Sequence, residues 1–233
     1  MTSSVAEPPA EDRPEGGSPD EIAPKTFRDL GVAEGICVAL EGVGITTPFP
    51  IQSLALPIAL GGHDIIGQAR TGTGKTLAFG IPLLQHLGSV AGSRPSAPQA
   101  LVVVPTRELA GQVADDLRVA GVAQGARVLT VYGGRAYEPQ IEALRNGVAI
   151  VVGTPGRLLD LVGQRHLDLS AVRSLVLDEA DKMLDLGFLP DVERILELTP
   201  PERQTMLFSA TMPGEIVTLA RRHLRQPLHV RAE

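Results

Sequence analysis

The stretch Ala69-Arg70-Thr71-Gly72-Thr73-Gly74-Lys75-Thr76 decides the fold. It follows a short apolar run and opens an amphipathic one, so it reads as strand, glycine loop and helix start. Gly72 and Gly74 free the backbone to turn its N–H groups inward around a phosphate, and the helix N-terminus adds partial positive charge. Lys75 supplies a mobile charge for the β and γ phosphates, and the Thr76 hydroxyl suits Mg²⁺. Only three lysines occur among the 21 basic residues, which makes a lysine at this position informative. Ala69 stands where the general phosphate-loop pattern has glycine, so the loop is a variant form.

Working outward, apolar runs rich in Val, Ile and Leu predict strands over 64–69, 100–104, 127–132, 148–152, 173–178 and 205–209. Most lack polar alternation, as strands buried on both faces should. Helical patterns fall between them, at 75–87, 107–120, 139–146, 156–163, 189–198 and 213–224, with a further helix near 54–60 ended by Gly61-Gly62. Repeated alternation of this kind predicts an α/β fold with a predominantly parallel central sheet flanked by helices on both faces. The Gly, Ser and Pro of 89–99 read as an exposed loop, because the alternation resumes directly after it.

Residues 1–25 carry six acids, two bases and five prolines, with almost no large apolar side chain. Such a segment cannot bury enough surface to offset its ordering entropy, so a disordered acidic tail is expected there and a single domain over 26–233. The tail accounts for −4 of the net charge of −6, and a nearly neutral fold is left. The total therefore does not exclude a polyanionic partner. A lone Cys37 excludes an internal disulfide, and no apolar run is long enough to span a bilayer, so a cytoplasmic protein without membrane attachment is expected.

A second chemical signal follows the strand predicted over 173–178. There Asp178-Glu179-Ala180-Asp181 leaves an apolar run at its carboxyl end, where ligands bind in open α/β sheets. Asp178 can hold Mg²⁺ through its waters, and Glu179 can orient or deprotonate the water that attacks a γ-phosphate. Acids after a strand are a weak signal alone. Paired with Lys75 they are a strong one.

Together these residues resemble the DEAD-box ATP-dependent RNA helicases of bacterial type. Gly44-Ile45-Thr46-Thr47-Pro48-Phe49-Pro50-Ile51-Gln52 resembles the family's Q motif, with Phe27 at its isolated upstream aromatic position. Pro105-Thr106-Arg107-Glu108-Leu109 resembles motif Ia, Gly133-Gly134 the GG motif, Thr154-Pro155-Gly156-Arg157 motif Ib, and Ser209-Ala210-Thr211 motif III. The resemblance implies a RecA-like ATP-binding domain that uses ATP and Mg²⁺, couples hydrolysis to RNA binding and opens short duplexes. It implies that Gln52 reads the adenine edge, that Phe27 packs near the base, and that residues 69–76 hold the phosphates. It further implies that Thr106, Arg107, Gly134, Thr154 and Arg157 line an RNA backbone groove, and that Ser209 and Thr211 hydrogen-bond Asp181 to couple the two sites.

Two departures stand out. Ile45 occupies a position where many relatives have an aromatic, so base stacking there is weaker. Members of the family have two RecA-like lobes, yet the sequence stops at Glu233 just after motif III and contains no His-Arg-x-Gly-Arg arginine-finger motif. An arginine finger contributes about 10³ to 10⁵ in rate, so the 233 residues alone are expected to bind ATP weakly and turn it over slowly. An ATP-gated RNA clamp without significant unwinding uses the same motifs and is the alternative; a DNA-acting ATPase fits the full motif set less well.

Overall fold

The computed structural model describes residues 25–88 and 95–232. The expected tail lies outside the described residues except for Lys25, as does the 89–94 part of the expected loop.

Seven strands form one sheet: β1 (Ile65–Gln68), β2 (Ala100–Val103), β3 (Val128–Val131), β4 (Ile150–Gly153), β5 (Ser174–Leu177), β6 (Gln204–Ser209) and β7 (Leu228–Arg231). Their order is β3-β4-β2-β5-β6-β1-β7, and every neighbouring pair is parallel. Parallel neighbours require crossover connections, so all strands point the same way and all carboxyl ends gather on one edge of the sheet. That edge carries each motif singled out above.

Successive side chains of each strand feed two separate cores. Ala100 and Val102 of β2 join Ile65, Val176, Met206 and Phe208 on one face. This face is covered by α1 (Glu34–Glu41), α2 (Pro50–Leu60), α3 (Lys75–Leu87) and α4 (Arg107–Ala120). Leu101 and Val103 point to the other face with Val151, Leu175, Leu177 and Leu207. There the cover is α5 (Tyr137–Arg145), α6 (Pro155–Gly163), α7 (Ala180–Asp185), α8 (Leu189–Leu198) and α9 (Gly214–His223). The central strands are buried on both faces, which is why their sequences lack polar alternation. Fully burying each such Val, Leu, Ile or Phe contributes about 1.5–3 kcal/mol.

The phosphate-loop strand is held in register by a close approach. An added Cβ at Gly67 would lie 2.3 Å from the ring of Phe208, itself fully buried and tilted against Phe79 at 5.4 Å. Gly67→Ala should therefore lower stability by about 1–3 kcal/mol through overpacking. Equal urea midpoints for this variant and the parent would refute the clash.

Candidate active site

At the carboxyl edge, β1 ends and the chain turns through 69–74 into α3. Ala69 is buried and its N–H donates to the Ser209 carbonyl at 3.2 Å, so the loop is pinned to β6. Gly72 and Gly74 have φ of 83° and 81°, the left-handed region where a side chain would be strained. The Thr73 hydroxyl donates to the Arg70 carbonyl at 2.7 Å and closes the turn. No side chain caps the start of α3, so its first N–H groups are left for a ligand.

Beside this loop lies a cavity of about 530 Å³. Thr71, Gly72, Gly74, Lys75 and Thr76 line it together with Asp178, Glu179 and Gln52. Lys75 is 6% exposed, and its Nζ is buried with no hydrogen-bond partner among the described residues. A buried ammonium without a partner is costly, so this orphaned donor fits an anionic ligand such as a phosphate chain.

Asp178 is 2% exposed, and one of its oxygens accepts from the Glu179 N–H at 2.9 Å. Burial pushes its carboxyl up to about 6; the nearby Lys75 charge opposes that rise and Glu179 adds to it. A dication beside it would reverse the effect. The donor set fits Mg²⁺, since the Thr76 hydroxyl and the Asp178 carboxylate are hard oxygens in one cavity and Mg²⁺ keeps several waters. Glu179 adopts φ 51°, a left-handed conformation that costs a non-glycine residue of order 1–3 kcal/mol. Its carboxylate accepts from the Thr71 hydroxyl at 3.4 Å and lies 3.6 Å from Lys182 Nζ. It is thereby turned towards the phosphate loop.

Gln52, almost fully buried, bridges two elements. Its Oε1 accepts from the Phe49 N–H at 2.9 Å, and its Nε2 donates to the Gly74 carbonyl at 2.8 Å. One N–H and one lone pair are left, enough for a bidentate contact with a base edge. Phe27 is 3% exposed and belongs to the core under α1 and α2; it does not line the cavity. Ala69, Arg70 and Thr73 shape the loop without lining the cavity, and Arg70 faces a separate opening next to Arg231.

Asp181 accepts from both the backbone N–H and the hydroxyl of Thr211, at 2.9 and 2.8 Å, while its own N–H donates to Ser209 Oγ at 3.1 Å. Burial would raise its carboxyl, but these Thr211 and Ser209 contacts outweigh burial and hold it below the ordinary carboxylate range. The DEAD turn and the end of β6 are thus tied together.

Away from the cavity, Thr106, Gly134 and Thr154 follow β2, β3 and β4, three adjacent strands. Thr106 caps α4 by accepting from the Leu109 N–H at 3.2 Å. Arg107 is exposed, pairs with Glu108 at 3.1 Å and reaches towards Gly134, whose φ is 79°. Arg157 lies beneath this face: it is 8% exposed, stacks 3.8 Å from the Tyr137 ring centre and donates to the Arg135 carbonyl at 3.1 Å. Arg157 thus supports the loop that carries Arg135, whose guanidinium lies over Tyr132.

The sequence reading missed part of the cavity wall. Leu109, Gln112, Asp116 and Val119 line it from α4, and Val43 and Phe49 from the segment after α1. The spacing 109, 112, 116, 119 is one helix face that flanks the core face of Val113 and Leu117; the periodicity is visible in the sequence, but what that face looks onto is not.

Among described residues, no helix is long and apolar enough to cross a membrane. A family model described as DEAD/DEAH box helicase matches residues 49–219. The DEAD-box ATP-dependent RNA helicase CshA of Geobacillus kaustophilus is 48% identical over 202 residues, which is 87% of this chain and 42% of that protein. CshA of Bacillus subtilis is 45% identical over 210 residues, 89% of this chain and 41% of that protein. The chain therefore spans about two fifths of the length of these relatives. The crystal structure of a DEAD box protein from Methanococcus jannaschii superposes with a TM-score of 0.83 at 40% identity, covering 89% of this chain and 56% of that one. A hypothetical ATP-dependent RNA helicase from Sulfolobus tokodaii gives 0.78 at 39% identity, covering 85% and 57%.

Proposed function

Since the chain belongs to the DEAD/DEAH box helicase family, we propose that residues 26–233 act as the RecA-like ATP-binding lobe of an ATP-dependent RNA helicase. The observation that carries this reading is the buried, unpartnered Lys75 ammonium in one cavity with Asp178, Glu179 and the uncapped start of α3. Lys75 and the loop N–H groups hold the β and γ phosphates, and Gln52 reads the base. Thr76 and Asp178 would hold Mg²⁺, which when bound neutralises charge on the phosphate oxygens. Glu179 accepts a proton from the attacking water as the water oxygen bonds to the γ-phosphorus and the bond to the ADP oxygen breaks. Thr106, Arg107, Gly134 and Thr154 grip the RNA sugar-phosphate backbone, with Arg157 supporting their face. Asp181, through Thr211 and Ser209, relays the nucleotide state to the end of β6.

Turnover in this reading needs a second lobe that completes the RNA clamp and contributes an arginine to the transition state. A cytoplasmic setting belongs to this reading, and it is supported by the lone Cys37, which is a free thiol of the kind suited to a reducing compartment. Calorimetry with ADP and Mg²⁺, followed by an ATPase assay with RNA and matched DNA, tests the proposal. The 233 residues should bind ADP and hydrolyse ATP slowly, and RNA should stimulate turnover more than DNA once a second lobe is supplied. Absence of ADP binding would overturn the nucleotide assignment. Robust RNA-stimulated turnover by the 233 residues alone would overturn the need for a second lobe.

A further inference from the structure

We propose that Phe49 is the stacking platform for the nucleobase in this chain, a role that rests on reading the cavity as the nucleotide site. Phe49 is the odd one among the five phenylalanines. Phe27, Phe79 and Phe208 are buried, Phe188 packs against the second core, and Phe49 is 55% exposed. Its exposed ring lines the cavity next to Ile45 and Gln52, and it lies close against the phosphate loop, 2.7 Å from where a Cβ on Gly74 would stand. A planar base whose phosphates rest on that loop, and whose edge meets the Gln52 amide, has this ring within reach of its face.

The local sequence supports a functional role for the ring. Phe49 occupies the N-cap position of α2, where Ser, Thr, Asp or Asn would accept a bond from the first-turn N–H groups. A phenyl ring cannot do this, and here it is also left exposed to water. A residue that breaks the local rule at the rim of a site marks a site requirement. Pro48 and Pro50 flank it, and its backbone is held at φ −71°, ψ 159°, the extended form that a residue before proline prefers. The ring's anchor is therefore fixed before a ligand arrives, which lowers the ordering cost on binding. Ile45 cannot supply an aromatic face and Phe27 is enclosed in the core, so Phe49 is the one phenylalanine positioned to do so.

The chain contains no tryptophan, so Phe49→Trp would install a single fluorescent reporter at this point. Its emission should be quenched by ADP and left unchanged by pyrophosphate, which has phosphates but no base. Phe49→Ala should weaken ADP binding about tenfold, in line with stacking measured by alanine substitution. Its pyrophosphate affinity and melting temperature should stay at parental values, and Phe49→Tyr should restore ADP binding. Equal ADP affinity in the parent and Phe49→Ala would overturn the proposal while leaving the nucleotide site intact. An equal loss of pyrophosphate and ADP binding would also overturn it, since the ring would then merely brace the loop. If the parent binds neither ligand, the underlying reading of the cavity fails and the proposal falls with it.

Discussion

Glu179→Gln, assayed with a second lobe present, should keep ATP binding and lose about 10²- to 10⁴-fold in turnover, the usual contribution of a positioned general base. Glutamine preserves the length of the side chain and can still accept from the Thr71 hydroxyl, which Glu179 contacts at 3.4 Å. Binding should be maintained for an electrostatic reason. Glu179 is among the groups that push the Asp178 carboxyl up, and removing its charge favours the ionised Asp178 that a metal-bound nucleotide needs. What the substitution deletes is the basic oxygen next to the phosphate loop. Single-turnover hydrolysis measured beside equilibrium binding separates the two effects. A rate within twofold of the parent would remove Glu179 from the chemistry and leave it as a strained helix-start residue.

The sequence exposed most of the scaffold because the scaffold's signals are local. Helices α3, α4 and α8 end where expected, at 75–87, 107–120 and 189–198, since glycine, threonine and proline punctuate them. The sheet is wholly parallel where a predominantly parallel one was expected. Helix α1 was not foreseen: it is eight residues long, starts after Ala33 without a side-chain cap, and gains its stability from burying Ile36, Cys37 and Leu40 against the rest of the fold. Strand β7 was not foreseen either, because an exposed edge strand reading Leu-His-Val-Arg lacks the apolar run that marks its neighbours. The candidate site divides in the same way. Contiguous strings such as 69–76 and 178–181 were legible. The wall formed by Leu109, Gln112 and Asp116 was not, since it exists only once α4 is placed across from the segment after α1. Nor does motif membership reveal depth: Phe27 and Arg157 match family positions, yet burial puts one in the core and the other beneath the candidate RNA face.

Lys75→Met should lower nucleotide affinity by about two to four orders of magnitude, since losing one partner of a buried charge pair costs about 3–5 kcal/mol. Methionine retains the stem that packs under the loop and removes only the ammonium, so the loss reports on charge and not on collapse of the cavity. Without ligand the two proteins should be close in stability. Nζ makes no hydrogen bond among the described residues, so deleting it leaves no broken bond, and Asp178, already raised to about 6 by burial, can take up a proton when its cationic neighbour is gone. The contrast appears on adding ADP and Mg²⁺. A ligand at 100 times its dissociation constant stabilises the folded state by about 2.7 kcal/mol, so the parent's melting temperature should rise by several degrees while that of Lys75→Met stays where it was. If both proteins gained the same protection from ADP, Lys75 would not be the phosphate ligand, and the orphaned ammonium would need another explanation.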